Sequence, residues 1–189
     1  MNPDLVDAVI DRLLRFYLEQ TSRILEASNG RIDMVYIADD LGGQNGLLIS
    51  PAMWQRYLKG PWKTFIDTIR ERFGRHLRFH FHSCGSVLDL VPEFVEIGID
   101  ILNPIQPKAA GMAPGHLKKV FGDRLCFSGG LDIQELLPHG SRQEVRDEAI
   151  RLTRILGEEG GYIACPAHAV QPDTSVENVL AMMEGFKQA

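Results

Sequence analysis

The chain has 189 residues, 44% of them hydrophobic and 24% charged, with a formal net charge of -5. That length fits one domain, 1–189, with a buried core, and the acidic balance without a Lys/Arg cluster argues against nucleic acid as a partner. No apolar run approaches the ~18 residues that span a bilayer, and Met1-Asn2-Pro3-Asp4 lacks the features of a signal peptide. The expectation is a cytoplasmic protein with no membrane partner. Cys84, Cys126 and Cys165 are too few and too widely spaced for a disulfide framework.

Asn2-Pro3 opens a helix, since a capping residue precedes proline at the first helical position. Leu5, Val9, Leu13, Phe16, Leu18, Ile24 and Leu25 continue it at helical spacing as far as Asn29-Gly30. Residues 34–38 form an apolar run that predicts a buried strand, followed by the polar loop Asp39-Asp40-Leu41-Gly42-Gly43. A second helix covers 53–73, with a possible break at Gly60-Pro61. The strand 78–83 comes next, then a helix from Val87 to Ile97 closed by Gly98.

Further strands are expected at 99–103, 124–128 and 161–165, each followed by a helix, at 114–121, 141–156 and 175–186. Ser141 with Glu144 forms a capping box. Five strand–helix units without a hairpin signal imply parallel strands joined by crossover helices. The open alternatives are a doubly wound sheet and a (β/α) barrel. No G-x-G-x-x-G follows any strand, which weakens a dinucleotide-binding reading. Five units are too few for an eight-fold barrel of ~250 residues, so either the sequence is the C-terminal part of a longer chain or another subunit covers the open edges, as in a homo-oligomer.

Polar residues gather at the strand C-termini, where a barrel keeps its active site. In Arg78-Phe79-His80-Phe81-His82-Ser83-Cys84-Gly85 alternate side chains share a face, so His80, His82 and Cys84 point one way. An imidazole and a thiolate together suit a soft metal, zinc above all. His80 lies deeper and is expected to support rather than ligate. A third donor is offered by Cys165 or His168 in Cys165-Pro166-Ala167-His168; the competing reading makes these residues structural. Asp39, Asp40 and Asp132 are candidates for acid–base or substrate-orienting work, with turn or helix capping as the alternative. Gly129-Gly130 admits close backbone approach to a ligand or simply makes a tight turn. Gln106, between two prolines, could bond a substrate. Cys126 is expected in the core.

Longer stretches carry a resemblance. They are His82-Ser83-Cys84-Gly85-Ser86-Val87, Asp100-Ile101-Leu102-Asn103-Pro104-Ile105-Gln106-Pro107, Phe121-Gly122-Asp123-Arg124-Leu125, Gly129-Gly130-Leu131-Asp132 and the segment from Pro166 to Thr174. Together with Asp39-Asp40-Leu41-Gly42 and Leu48-Ile49-Ser50-Pro51, they resemble the uroporphyrinogen decarboxylase superfamily through nearly the whole chain. The resemblance implies a (β/α)8 TIM-type barrel, of which this chain looks like the C-terminal five βα units.

It also implies one of two chemistries. Decarboxylases of the superfamily, lyases of porphyrin biosynthesis, need no metal. Methylcobamide:thiol methyltransferases hold zinc through a His-x-Cys and a later cysteine. Here that cysteine falls where His168 stands, leaving His168 or Cys165 as the third ligand. Asp39 lies about where the decarboxylase has a substrate-binding serine, and His168 where it has a substrate-binding histidine. The decarboxylase's arginine-rich segment and catalytic aspartate belong to a part of the barrel outside this sequence. The leading expectation is a zinc-dependent corrinoid:thiol methyltransferase, acting with a corrinoid methyl donor or corrinoid protein. In that reading Asp39, Asp132 and His168 are catalytic, and Asp40, Gln106, Gly129 and Gly130 bind substrate. The alternatives are a metal-free decarboxylase of a porphyrinogen and a non-catalytic half-barrel.

Overall fold

The structure, a computed structural model, describes residues 2–188. Helix α1 spans Pro3–Ser28; the Asn2 side chain accepts the Leu5 N–H at its start, and Asn29 closes it at φ 51°. Five strands follow: β1 Met34–Ala38, β2 Arg78–His82, β3 Ile101–Ile105, β4 Cys126–Leu131 and β5 Tyr162–Pro166. They form one sheet in the order β1-β2-β3-β4-β5, every pair parallel. A doubly wound sheet reverses its strand order at a switch point, and this one never does. Sequential parallel order is that of a barrel wall. The fold is α/β, five βα units of an incomplete (β/α)8-type barrel.

The connections are helical. α2 Pro51–Met53 and α3 Lys59–Phe73 lie between β1 and β2, α4 Val91–Ile97 between β2 and β3, and α5 Pro114–Phe121 between β3 and β4. α6 Leu136–His139 and α7 Arg142–Leu156 lead to β5, and α8 Val176–Gln188 packs on α7.

Alternation along β2 sets the layers. Phe79 and Phe81 are fully buried under the helices, while His80 and His82 face the other way and stay half-buried. Phe81 lies 4.8 Å from Phe94 of α4, centroid to centroid, and Phe79 6.2 Å from Phe65 of α3. Each buried ring of this kind contributes about 2–3 kcal/mol. At the N-terminal end of the sheet, Asp100 accepts hydrogen bonds from the Phe79 N–H at 2.7 Å and from Arg70 at 2.6 Å, tying α3 to the turn before β3.

The face opposite the helices remains open. Tyr36 is 57% exposed and Ile163 40%, so the inner wall at both sheet edges is bare. Along α1, Leu5, Val9, Leu13 and Phe16 form an exposed apolar stripe. Between α1 and the free edge of β1 runs an apolar groove of ≈ 640 Å³, lined by Leu13, Tyr17, Ile24, Met34, Tyr36 and Trp62 among others. Among the described residues, no helix is long and apolar enough to cross a membrane.

Several boundaries differ from expectation. β3 runs through Pro104 to Ile105 instead of stopping at Asn103, and a register irregularity between Leu102 and Ile105 accommodates the missing N–H. β4 takes in Gly129 and Gly130, expected just past the strand as a ligand approach or a tight turn, because both are ladder partners of β5. The expected helix over 53–73 contains a π turn, Trp54–Leu58, just upstream of Gly60-Pro61, where proline interrupts the regular bond pattern. The expected helix from Val87 begins as a 3₁₀ turn, Leu88–Leu90, ahead of α4. Cys126 is half-buried at the start of β4 rather than in the core.

Candidate functional site

The C-terminal ends of the strands meet at one mouth. His82 ends β2, and the chain turns through Ser83, Cys84 and Gly85, with Gly85 at φ 79°. Three contacts hold this turn against the loop after β1. The Asp39 N–H donates to the His82 carbonyl at 2.9 Å, Ser83 Oγ accepts the Leu41 N–H at 3.0 Å, and Asp40 Oδ1 accepts the Cys84 N–H at 2.9 Å. From the β3 side, Gln106 Oε1 accepts the Gly85 N–H at 2.6 Å. With the Ser83 N–H donating to the Asn103 carbonyl at 2.7 Å, every backbone N–H of the turn has a partner on a neighbouring strand end or loop.

The turn after β5 is anchored by the Ala167 N–H, which donates to the Leu131 carbonyl at 2.8 Å. This places His168 over β2. Ligand atoms of His82, Cys84 and His168 all lie within 4.8 Å of one another, the one such grouping among the described residues. Cys84 Sγ is 3.5 Å from His82 Nε2. A tetrahedral ion with bonds of ~2.3 Å to sulfur and ~2.1 Å to nitrogen separates those two donors by about 3.6 Å. One thiolate and two imidazoles are a donor set that suits zinc. The residues present fit that ion.

Cys165 points elsewhere, with its Sγ 3.4 Å from Ser128 Oγ. Asp132 is buried, and its carboxylate accepts the N–H groups of Gln134, Glu135 and Leu136, which is the capping alternative. Gly129 and Gly130 sit inside the sheet at φ 108° and 109°. A Cβ on Gly129 would come within 2.9 Å of the Ile105 nitrogen, and one on Gly130 would touch Leu152 and Leu156 at 3.4 Å, so both face packed chain. Asp39 accepts a bond from Trp62 Nε1 at 3.3 Å. Asp40 remains exposed beside the cluster, its Oδ1 3.9 Å from His82 Nε2.

The electrostatics of the mouth favour neutral forms. Burial pushes the Cys84 thiol up, and the Asp40 carboxylate raises it further through its charge and a hydrogen bond. Burial also pushes the Asp39 carboxyl up; the Trp62 bond pulls it part of the way back, and the charge of Asp40 adds to the rise. His80 is lowered by burial and by His82. Its buried Nε2 has no hydrogen-bond partner among the described residues, and its ring packs edge-on against Tyr36. A cation at the cluster reverses the bias against the Cys84 thiolate.

Asn103, Ser83 and Ser128 contribute to this mouth although no motif singled them out as site residues. Asn103 alone carried a signal, a polar side chain at a strand C-terminus. The fold and the mouth together define a barrel-wall protein with its polar residues at the strand C-terminal ends.

Comparison with known proteins narrows that class. The profile described as Uroporphyrinogen decarboxylase (URO-D) matches residues 1–189, and the chain belongs to that family. Curated uroporphyrinogen decarboxylases from three Coxiella burnetii strains, Dugway 5J108-111, RSA 331 / Henzerling II and RSA 493 / Nine Mile phase I, are each 22% identical over 190 residues. The alignment takes in 98% of this chain and 48% of those proteins, so the chain spans about half their length. Among solved structures, a methyltransferase from Methanosarcina mazei superposes with a TM-score of 0.63 at 23% identity, covering 82% of this chain and 42% of that one. The shared feature there is the fold.

Proposed function

We propose that the chain is the metal-holding part of a zinc-dependent, corrinoid:thiol methyltransferase-like enzyme. The observation behind this reading is the clustering of His82, Cys84 and His168 donor atoms within 4.8 Å of one another. Three protein ligands leave the fourth position of a tetrahedral site open, as catalytic zinc sites require. Zinc held there would act as a Lewis acid that favours the thiolate of a thiol substrate. His82 and Cys84 are held by the loop contacts described above, so the donor pair is organised before any ion arrives. Asp40 engages the Cys84 N–H through Oδ1, and its other oxygen is available at the mouth to accept the substrate's thiol proton. Asp39 and Trp62 form the neighbouring wall and orient the substrate. The methyl donor in this proposal is a corrinoid, brought by a corrinoid protein, and the chain works in the cytoplasm as a homo-oligomer.

Elemental analysis of the purified protein tests the reading. One zinc per chain is expected, lost in Cys84→Ala and His168→Ala and kept in Cys165→Ala. A well-folded wild-type protein that takes up no zinc overturns it.

A second reading, a metal-free porphyrinogen decarboxylase, draws support from the Asp39 carboxyl, which burial holds toward its protonated form at the mouth. Turnover of a porphyrinogen that persists in excess chelator would favour this reading over methyl transfer.

A further inference from the structure

Four neighbouring strands each place one polar side chain in a row behind the cluster. His82 Nδ1 lies 2.7 Å from Asn103 Oδ1. Asn103 Nδ2 is 3.1 Å from Ser128 Oγ and 3.4 Å from the Ser128 carbonyl. Ser128 Oγ is 3.4 Å from Cys165 Sγ. His82 and Asn103 are ladder partners, and the β3–β4 register that pairs Leu102 with Phe127 sets Asn103 beside Ser128.

The direction of these bonds follows from chemistry. A backbone carbonyl only accepts, so the Asn103 atom facing the Ser128 carbonyl is the amide nitrogen. The Asn103 oxygen therefore faces His82, and an amide oxygen also only accepts. In the neutral ring the His82 proton then sits on Nδ1, which leaves Nε2 bare and facing Cys84. Ser128 Oγ already receives the Asn103 N–H, so its own hydrogen is free for Cys165 Sγ. Each bond donates away from the cluster, and bonds aligned head to tail reinforce one another.

We infer that Asn103, Ser128 and Cys165 form a one-way hydrogen-bond relay that locks the His82 ring in the Nδ1–H tautomer, with Nε2 presented to a metal. This rests on the metal reading above for its purpose, although not for its geometry. Asn103 is the decisive positioning residue, Ser128 holds Asn103, and Cys165 ends the relay as an acceptor. That gives Cys165 a task other than ligation. A ligating imidazole whose far nitrogen donates to an acceptor is both better oriented and more basic.

Two variants at one position test the relay. Asn103→Leu removes the acceptor at similar size; Asn103→Asp keeps an acceptor for Nδ1–H while removing the donor to Ser128. Nitrogen-15 NMR of metal-free protein, recorded about two units above the ordinary imidazole pKa, reads the His82 tautomer directly. The wild type and Asn103→Asp are expected in the Nδ1–H form, and Asn103→Leu in a mixture. Zinc competition titrations are expected to show roughly 10–100-fold weaker binding for Asn103→Leu and a clear recovery for Asn103→Asp. Far-UV circular dichroism checks that all three are folded; if Asn103→Leu is not, Ser128→Ala takes its place, with a smaller loss in the same direction. An unchanged His82 tautomer in the folded variant, or an Nε2–H form in the wild type, overturns the relay. A wild type that binds no zinc sinks the metal reading instead, and the tautomer measurement still decides the relay.

Discussion

Gly42 and Gly85 meet backbone to backbone: a Cβ built on Gly85 would lie 2.5 Å from the Gly42 carbonyl carbon, and one on Gly42 would lie 2.6 Å from the Cys84 carbonyl oxygen. Neither loop could close on the other with any side chain between them. Gly85 also sits at φ 79°, where an added Cβ is strained whatever the space. Gly85→Ala is expected to lower stability by about 1–3 kcal/mol from backbone strain alone. It should also displace Cys84, so that zinc uptake falls more than the melting temperature does. A Gly85→Ala protein with wild-type zinc affinity would show that the contact does not position the ligand.

Asp39 governs a pH effect whose sign can be worked out. Its folded-state pKa is raised, chiefly by burial, so the native state holds that proton more tightly than the unfolded chain does. The resulting stability is fully present below the ordinary aspartate value and is lost as pH rises through the raised one. At neutral pH the buried charge is a cost. Asp39→Asn keeps an acceptor for Trp62 and should melt higher than wild type near pH 7, the gap closing by about pH 3. Melting curves that differ equally at both pH values would rule out this ionisation as the cause.

Asn178 is a structural counterpart outside the ligand set. It is 6% exposed, and its amide donates to the Leu137 carbonyl at 3.0 Å and the Gly140 carbonyl at 2.8 Å, joining α8 to the end of α6. Asn178→Ala leaves buried carbonyls unsatisfied, at a cost of about 1–3 kcal/mol. For a chain of this length each kcal/mol moves the melting temperature by roughly 2–4 °C. Differential scanning calorimetry checks the drop, and zinc binding should be unaffected.

The apolar stripe of α1 beside the free edge of β1 is a surface expected to self-associate, because neither part has a neighbour among the described residues. Sedimentation velocity is expected to show dimers or larger species at micromolar concentration, shifting toward monomer in Leu13→Glu/Phe16→Glu. A wild-type protein that stays a well-folded monomer would contradict this.

The five βα units were readable in the amino-acid sequence because period-two strands, capped helices and glycine stops are local signals. Ser141 and Glu144 form the expected capping box, and Asn2 caps α1 as expected. Long-range effects were not readable. Gly129 and Gly130 read as a ligand approach or a tight turn, yet Ile105 on one side and Leu152 and Leu156 on the other line the space beside them, and no local pattern reports that. Sequence alone could not choose between Cys165 and His168 either, since the choice depends on which side of Pro166 the chain turns back over β2. Asn103 and Ser128 become partners only once the β3–β4 register exists.

His82 and His168 belong to the ends of β2 and β5, which two other strands separate. Their approach measures how tightly the wall curls, together with the reach of the turn after Pro166. Adjacent strands lie ~4.8 Å apart, so flattening the wall by even a fraction of one spacing would part the donors. On the metal reading proposed above, ion affinity at the mouth would gauge the curvature of the whole wall, and a change at the bare β1 edge would register there.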